Sequence, residues 1–302
     1  METIRTADPL AYAPKNFEWP RCPEGEIFLQ EQLESFLDRH TFARTLRDRM
    51  LTETSTRMID WVDHMDLTLN VQNLSALGLA GFHGYRDEGK HIYWHPHAQF
   101  PHVLLHSDQW LRRLAIKVEH LEDFQQTHNL TALPIDGVAN GHYRRLLIPE
   151  GEHELHIVER HGYRGFTPGT NEDLAGKYRA VMEQWRNRER VVNDDTQGMH
   201  VTLALAKELA ASIGPDLAAD AVLAKERAYW QSRNRAAQVQ KQRQDGLGLG
   251  WANHDHHTFR SSREHFVTLM EIFRTLGFQK RERYYAGDKT GWGAQILEQP
   301  TA

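Results

Sequence analysis

Apolar residues recur along this chain at two different periods. Between Glu26 and Thr56 they recur every three or four positions, in "IFLQEQLESFLDRHTFARTLRDRMLTE", which predicts one or two amphipathic helices. The next segment, "WVDHMDLTLNV", alternates apolar and polar residues instead, which is typical of a half-buried strand. One side of this predicted strand carries Met65, Leu67 and Leu69, and the other side carries His64, Asp66 and Thr68.

Short alternating segments continue to about residue 165. The stretch "FHGYRDEGKHIYWHPHAQFPHVLLHSD" predicts a hairpin that turns at Glu88-Gly89, followed by a strand from His102 to Leu105. The order strand, short helix, strand, strand then follows over about fifty residues. The four segments are "LAIKVEH", "LEDFQQTHNL", "ANGHYRRLLIPE" and "GEHELHIVERHG". We interpret this order as a βαβββ unit in which three of the four strands are recognisable.

Residues 173–244 change to helical periodicity, in three runs with a break at Gly214-Pro215. The C-terminal segments "HDHHTFRSS", "REHFVTLMEIFRTLGF", "QKRERYYAG" and "GWGAQILEQP" predict strand, helix, strand and strand, so that the βαβββ order returns. The last strands of the two units end alike, near Glu159 and Glu298. We therefore expect an α+β fold divided into an N-terminal arm and helices (1–57), a β-rich half (58–165), a helical segment (166–250) and a C-terminal unit (251–302).

Composition narrows the function classes. The 302 residues carry a net charge of -5, so no global positive field attracts nucleic acid or an anionic membrane. Cys22 is the only cysteine, which excludes an internal disulfide and an all-cysteine metal site. No window has the apolar length of a signal peptide or a membrane span, so we expect a cytoplasmic protein. The 19 histidines are many for this length, and histidine is the commonest metal ligand.

Candidate metal ligands follow from the strand periodicity. His254, His256 and Arg260 share one face of the predicted C-terminal strand, and Glu298 lies on the predicted closing strand. One histidine and one carboxylate on neighbouring strands are two thirds of a facial triad. His64 is our choice for the second histidine, because "VDHMDLTL" opens a strand as "HDHHTFRS" does. The reserves are His156 and His102.

The paired βαβββ units, each closing on a strand that ends in glutamate, resemble the vicinal oxygen chelate superfamily. The spacing of His256 and Arg260, followed by a helix and a strand with Tyr284 and Tyr285, is similar to the 2-oxoadipate dioxygenase/decarboxylase (hydroxyglutarate synthase) family. The resemblance covers roughly residues 58–165 and 251–302. It implies an open barrel with a metal inside and an arginine that holds a substrate carboxylate.

The expected function is a mononuclear non-haem Fe(II) oxygenase that uses O2 and a small carboxylate substrate such as a 2-oxo acid. Iron is assigned to His64, His256 and Glu298, the substrate carboxylate to Arg260, and its orientation to Tyr284 or Tyr285. Two alternatives stay open: a glyoxalase- or epimerase-like lyase or isomerase with Zn, Mn or Ni, and a metal-free binding protein of the same fold. A homodimer is also left open. The metallohydrolase pattern H-x-H-x-D-H is absent after both His95 and His254.

Overall fold

The computed structural model describes residues 20–108, 112–253, 256–286 and 291–301. The N-terminal helices are α1 (Pro23–Leu37) and α2 (Thr41–Arg49), followed by a π-helical turn at 50–54 and a 3₁₀ turn at 58–61. Helix α1 has a proline in its first turn, and α2 is capped by the ring of His40, which accepts a hydrogen bond from the backbone N–H of Ala43. The two amphipathic helices predicted from the periodicity are confirmed.

The β-rich half contains two βαβββ units in succession. The first consists of β1 (Val62–Thr68), α3 (Val71–Leu79), β2 (His83–Asp87), β3 (Lys90–Trp94) and β4 (His102–His106). The second consists of β5 (Arg112–Lys117), α4 (Leu121–Thr127), β6 (Ile135–Asp136), β7 (Tyr143–Glu150) and β8 (His153–Arg160). The sequence predicted the second unit and the separate strands of the first, and both predictions are confirmed.

All eight strands form one mixed sheet in the order β2-β3-β4-β1-β5-β8-β7-β6. Within each unit the first strand pairs in parallel with the last, β1 with β4 and β5 with β8. The units join through their first strands, because β1 and β5 are antiparallel neighbours. A pseudo-twofold relation between the units follows from this order. The sheet is not closed into a barrel: β2 and β6 are its two edges.

The two faces of the sheet differ in chemistry, because side chains alternate along each strand. One face is apolar and packs against α1, α2 and α4 in the main core. Its central residues are Met65 and Leu67 of β1, Leu114 and Ile116 of β5, and Leu155 and Ile157 of β8. The opposite face carries histidines, carboxylates and arginines in the same central strands, and we call it the polar face.

A helical layer follows the sheet. Its helices are α5 (Glu172–Arg186), α6 (Asp195–Ile213), α7 (Pro215–Gln231) and α8 (Arg235–Asp245), and α5, α6 and α7 share a second core. The break predicted at Gly214-Pro215 is confirmed, with Gly214 at φ 83° before the proline that begins α7. The last predicted run divides into two helices because Asn234 caps α8 by accepting from the backbone N–H of Ala237.

The helical layer touches the end of β8 at a glycine. Gly162 has φ 48°, and a Cβ atom built on it would lie 2.5 Å from backbone atoms of Asp216 and Leu217. Any side chain at this position would therefore overlap the first turn of α7.

The C-terminal region forms α9 (Phe266–Thr275), β9 (Gln279–Tyr285) and β10 (Gly293–Glu298). Strands β9 and β10 make a separate antiparallel sheet, and α9 packs against α6. The strand predicted for "HDHHTFRSS" is wrong over its described residues: 256–262 pair with no other strand, and His254 and Asp255 lie outside the described residues. This region is thus a helix and two strands rather than a βαβββ unit. The ring of Phe259 lies 4.9 Å from that of Phe273 of α9, measured between centroids.

In the part of the chain that the structure describes, none of the helices combines the length and the apolar character needed to cross a membrane.

Candidate functional site

Six residues form a two-by-three grid at the centre of the polar face. In one row His64 of β1 pairs with Ala115 of β5, and Ala115 with His156 of β8. In the next row Asp66 pairs with Arg113, and Arg113 with Glu154. Ala115, between the two imidazoles, is buried against Tyr143 and Val158. We call these residues, His64, Asp66, Arg113, Ala115, Glu154 and His156, the polar grid.

His64 is oriented by a buried ion pair. Its Nδ1 is 2.7 Å from Oδ2 of Asp63, and the ring is only 3% exposed. Arg160 donates from Nε to Oδ1 of Asp63 at 2.8 Å and from Nη2 to Oδ2 at 2.7 Å. The register of β1 against β5 shifts between Val62 and His64, which places Asp63 at an irregularity beside the ring. The Nε2 atom of His64 is therefore the nitrogen left for another partner.

Burial alone would raise the pKa of Asp63. The charge of Arg160 outweighs it, together with the hydrogen bonds from His64 and Arg160, and holds the pKa of Asp63 well below its usual value. The carboxylate thus stays ionised and keeps its hold on the imidazole. The remaining donors of Arg160 are used as well: Nη1 donates to the carbonyls of Tyr163 and Gly165, both at 2.6 Å.

Three atoms of the polar grid that could bind a metal have no hydrogen bond. Nε2 of His64 is 3.7 Å from Oδ1 of Asp66, which is too long for a hydrogen bond. That Oδ1 is buried and has no partner, and neither has the buried Nδ1 of His156. The other sides of these groups are held: Arg113 contacts both Asp66 and Glu154, and Nε2 of His156 is 3.2 Å from Glu154.

His156 of the grid and the neighbouring His102 are neutral at physiological pH. Burial, and next the neighbouring His64, lowers the pKa of His156 to about 4. Burial likewise lowers the pKa of His102, which pairs with His64 from β4, to about 4. A neutral imidazole has a free lone pair and can accept a hydrogen bond or bind a metal.

Phe166 covers one end of the polar grid. It belongs to the connection between β8 and α5 and packs in a small cluster with Ile92 and Leu104. Its ring centroid lies 4.8 Å from that of His64 and 5.9 Å from that of His102. The guanidinium of Arg160 lies 5.0 Å from the same centroid. This side chain keeps water away from His64.

A second buried polar network, which the sequence did not predict, connects the sheet to the helical layer. His161 lies between two carboxylates, with Nε2 3.1 Å from Glu159 and Nδ1 3.0 Å from Asp220 of α7. The hydroxyl of Tyr178 donates to Asp220 at 2.5 Å. Burial opposes the charge of His161, but Asp220 and Glu159 outweigh it and raise the pKa of His161 to about 9. The imidazolium therefore serves as an electrostatic clamp between the layers.

The residues predicted for the site lie in different surroundings. His64 is in the polar grid, whereas His256 and Arg260 are exposed and outside any strand. Glu298 lies on β10, partly exposed, in an ion pair with Arg281. Tyr284 and Tyr285 are 51% and 56% exposed on β9. The structure does not bring His64, His256 and Glu298 together, so that ligand set stays a prediction.

As they stand, the side chains in the described ranges contain no group of three or more His, Cys, Asp or Glu placed to hold a metal ion. The free atoms of His64, Asp66 and His156 are nevertheless the donors of a two-histidine, one-carboxylate set. Asp63 also supplies the carboxylate that usually orients a ligand histidine through its second nitrogen. By the type of their ligand atoms these residues fit a metal, and metal binding would satisfy two buried atoms that have no partner.

A cleft of about 260 Å³ lies elsewhere, beside α4 and α8. Two of its carboxylates are already paired, Glu119 with Arg227 and Lys241, and Asp245 with Lys241. We therefore place the candidate site at the polar grid, where unpartnered donors remain.

Comparison of the chain with protein-family models, with curated proteins and with solved structures finds no match.

Proposed function

We propose that this chain is a metal-dependent enzyme of vicinal oxygen chelate type, and specifically a mononuclear non-haem Fe(II) oxygenase acting on a small carboxylate such as a 2-oxo acid. Two βαβββ units joined through their first strands resemble the paired units of that superfamily. The observation that carries the proposal is a set of three potential ligand atoms without a hydrogen bond, on His64 and Asp66 of β1 and on His156 of β8, the two strands that flank β5.

The proposed ligand set revises the one expected from the sequence. His64 is retained, His156 takes the place of His256, and Asp66 takes the place of Glu298. Iron held by two imidazoles and one carboxylate would leave coordination positions open. Binding of a substrate and of O2 at those positions is what the metal would supply. All three proposed ligands belong to one chain, so the proposed site does not require a partner subunit.

The surrounding residues have defined tasks in the proposal. Asp63 holds the His64 ring, so that Nε2 points away from the Asp63–Arg160 pair. Arg113 is the cation of the grid, and about a quarter of its side chain is exposed, so it can receive a substrate carboxylate. Phe166 excludes water from the His64 side of the site.

The test is anaerobic loading with Fe(II), removal of unbound metal, and measurement of iron per chain on protein without a histidine tag. We expect one iron per wild-type chain, and loss of most of it in His64→Ala and in His156→Ala, because each removes a ligand. The matched control is His256→Ala, which leaves the polar grid unchanged. Retained iron in His156→Ala together with lost iron in His256→Ala would replace our ligand set by the one expected from the sequence.

Oxygen uptake then separates the reaction classes. The iron-loaded protein is screened in an oxygen electrode against 2-oxo acids and catechols, and uptake with a carboxylate substrate is the expected result. Stoichiometric metal with no uptake, but with turnover supported by Zn, Mn or Ni, would favour a glyoxalase- or epimerase-like reaction. Less than about 0.1 metal per chain after loading would favour a metal-free binding protein, because a preformed site of this kind binds iron far more completely.

A further inference from the structure

An arginine cluster lies at the surface end of the helical layer, far in sequence from the polar grid. Arg188 and Arg190 follow α5 directly, and both contact Glu226 of α7. The aromatic rings of Trp185 and Tyr229 lie beside them. The cluster is independent of the proposed metal site, and the proposed reaction does not use it.

Both carboxylate oxygens of Glu226 are already occupied by contacts with neighbouring side chains. Its Oε1 accepts from the indole N–H of Trp185 at 2.7 Å and from Nη2 of Arg190 at 2.8 Å, and Nη2 of Arg188 lies 2.9 Å from it in an ion pair. Its Oε2 accepts from Nη1 of Arg190 at 3.1 Å. One buried carboxylate therefore faces two guanidinium groups, which leaves an excess of positive charge.

Three guanidinium N–H groups in this cluster are buried and donate to nothing. They are Nε and Nη1 of Arg188 and Nε of Arg190. Burial of an N–H group without an acceptor is energetically unfavourable, and a guanidinium cannot lose its proton to avoid it. An unpaired buried donor is therefore rare in a folded protein. Burial lowers the pKa of Arg188 despite the charge of Glu226, which shows how incompletely the neighbouring groups compensate this cation.

The guanidinium planes are also held in place. Arg188 lies 4.4 Å from the ring centroid of Trp185, and Arg190 lies 3.7 Å from that of Tyr229. Arg233, an exposed cation, lies 3.6 Å from the Tyr229 ring. Arg188 and Arg190 reach the same oxygen of Glu226, so their guanidinium groups lie close to each other. Such preorganised donors lose little conformational entropy when they bind a ligand.

We propose that Arg188 and Arg190 form a binding site for a small oxyanion, the phosphate or carboxylate group of a metabolite, which accepts the free N–H donors of both. Phosphate and carboxylate oxygens match the planar fork of a guanidinium, and a negative charge balances the excess cation. The connection 187–194 lies at the surface, with Glu189 and Val191 exposed, so a shift of this connection admits the ligand.

The test uses the full-length wild-type chain labelled with ¹⁵N, and follows arginine Nε–H resonances while inorganic phosphate, methyl phosphate or acetate is added. We expect saturable shifts of the Arg188 and Arg190 resonances and none for Arg186, which is exposed in the same segment and paired with Glu183. A larger response to phosphate and methyl phosphate than to acetate assigns the site to phosphate groups, and the reverse order assigns it to carboxylates. Shifts no larger than those of Arg186 with all three anions would overturn the proposal.

A pair of conservative variants supplies the second measurement. Arg188→Lys keeps the charge but loses Nε and the planar fork, so we expect anion affinity to fall about tenfold or more. Arg186→Lys should bind as the wild type does. Equal affinity in the two variants would contradict the proposed site. If Arg188→Lys does not fold, the wild-type titration alone decides.

Discussion

The polar face of the eight-stranded sheet and the C-terminal unit carry similar residue types in different physical settings. On the polar face, His64 and His156 are each about 3% exposed, and Asp63 is bound by two charge-assisted hydrogen bonds from Arg160. In the C-terminal unit, His256 and Arg260 are exposed and Glu298 is in a partly exposed ion pair. Burial changes what the same groups can do, because it shifts pKa values and makes every unpaired atom costly.

The comparison is tested most strongly by removing one carboxylate from each region. Asp63→Ala leaves the buried guanidinium of Arg160 without its counter-ion, so we expect a loss of about 3–5 kcal/mol in the free energy of unfolding. Glu298→Ala removes the partner of Arg281 near the surface, and we expect a loss of about 1 kcal/mol or less. Urea unfolding measures both. Similar losses for the two variants would show that the regions do not differ as described.

An aromatic ring can be removed from each region in the same way. Phe166 is 6% exposed and packs between Ile92, Leu104 and His64, so Phe166→Ala should cost about 3 kcal/mol in unfolding free energy. Phe259 is 36% exposed and touches α9 on one side only, so Phe259→Ala should cost about 1 kcal/mol. The same denaturation experiment applies, and a larger cost for Phe259→Ala would reverse the ranking.

The pH dependence of stability reports on the clamp at His161. Its pKa is about 9 in the folded chain and about 6.5 when unfolded, so its stabilisation is fully present below about pH 6.5 and is lost as the pH rises through 9. We expect this loss to be on the order of 2–3 kcal/mol between pH 6 and pH 10. His161→Gln should flatten the profile over that range, whereas His200→Gln, at an exposed position on α6, should not. An unchanged profile in His161→Gln would contradict the clamp.

The smallest effect is expected at His256. Because this side chain is exposed and outside any strand, His256→Ala should change the free energy of unfolding by about 0.5 kcal/mol or less. Thermal unfolding with and without Fe(II) is the measurement. A metal-dependent rise in Tm that is present in wild type and lost in His256→Ala would place His256 at the metal after all.

The strands of the β-rich half were predictable because their alternation is strict. In "HMDLT", "RLAI" and "ELHI" the large apolar residues fall on alternate positions and the polar residues on the remaining positions, and the structure packs the large apolar residues in the main core. The polar grid was not predicted, since the pairing of β1 with β5 joins residues about fifty positions apart and no local pattern records it. In all three segments the polar residues alternate with the large apolar ones, and this shared pattern was the signal that could have identified Asp66, Arg113 and Glu154.

The C-terminal strand was mispredicted for a related reason. "HDHHTFRSS" alternates as a strand does, but a strand also needs a neighbour that accepts and donates backbone hydrogen bonds. In the described residues 256–262 no such neighbour lies alongside. The network of Glu159, His161 and Asp220 was missed because it depends on how α7 docks, which is a tertiary contact rather than a sequence pattern.

The glycine at 162 has a consequence for how this protein can change over generations. Because a side chain there would collide with the backbone of Asp216 and Leu217, a single point mutation at this position would push α7 away from the end of the sheet and separate His161 from Asp220. Natural variants of this protein should therefore keep glycine at 162 for as long as α7 keeps its place, and lineages that have lost the helical layer should be free to replace it.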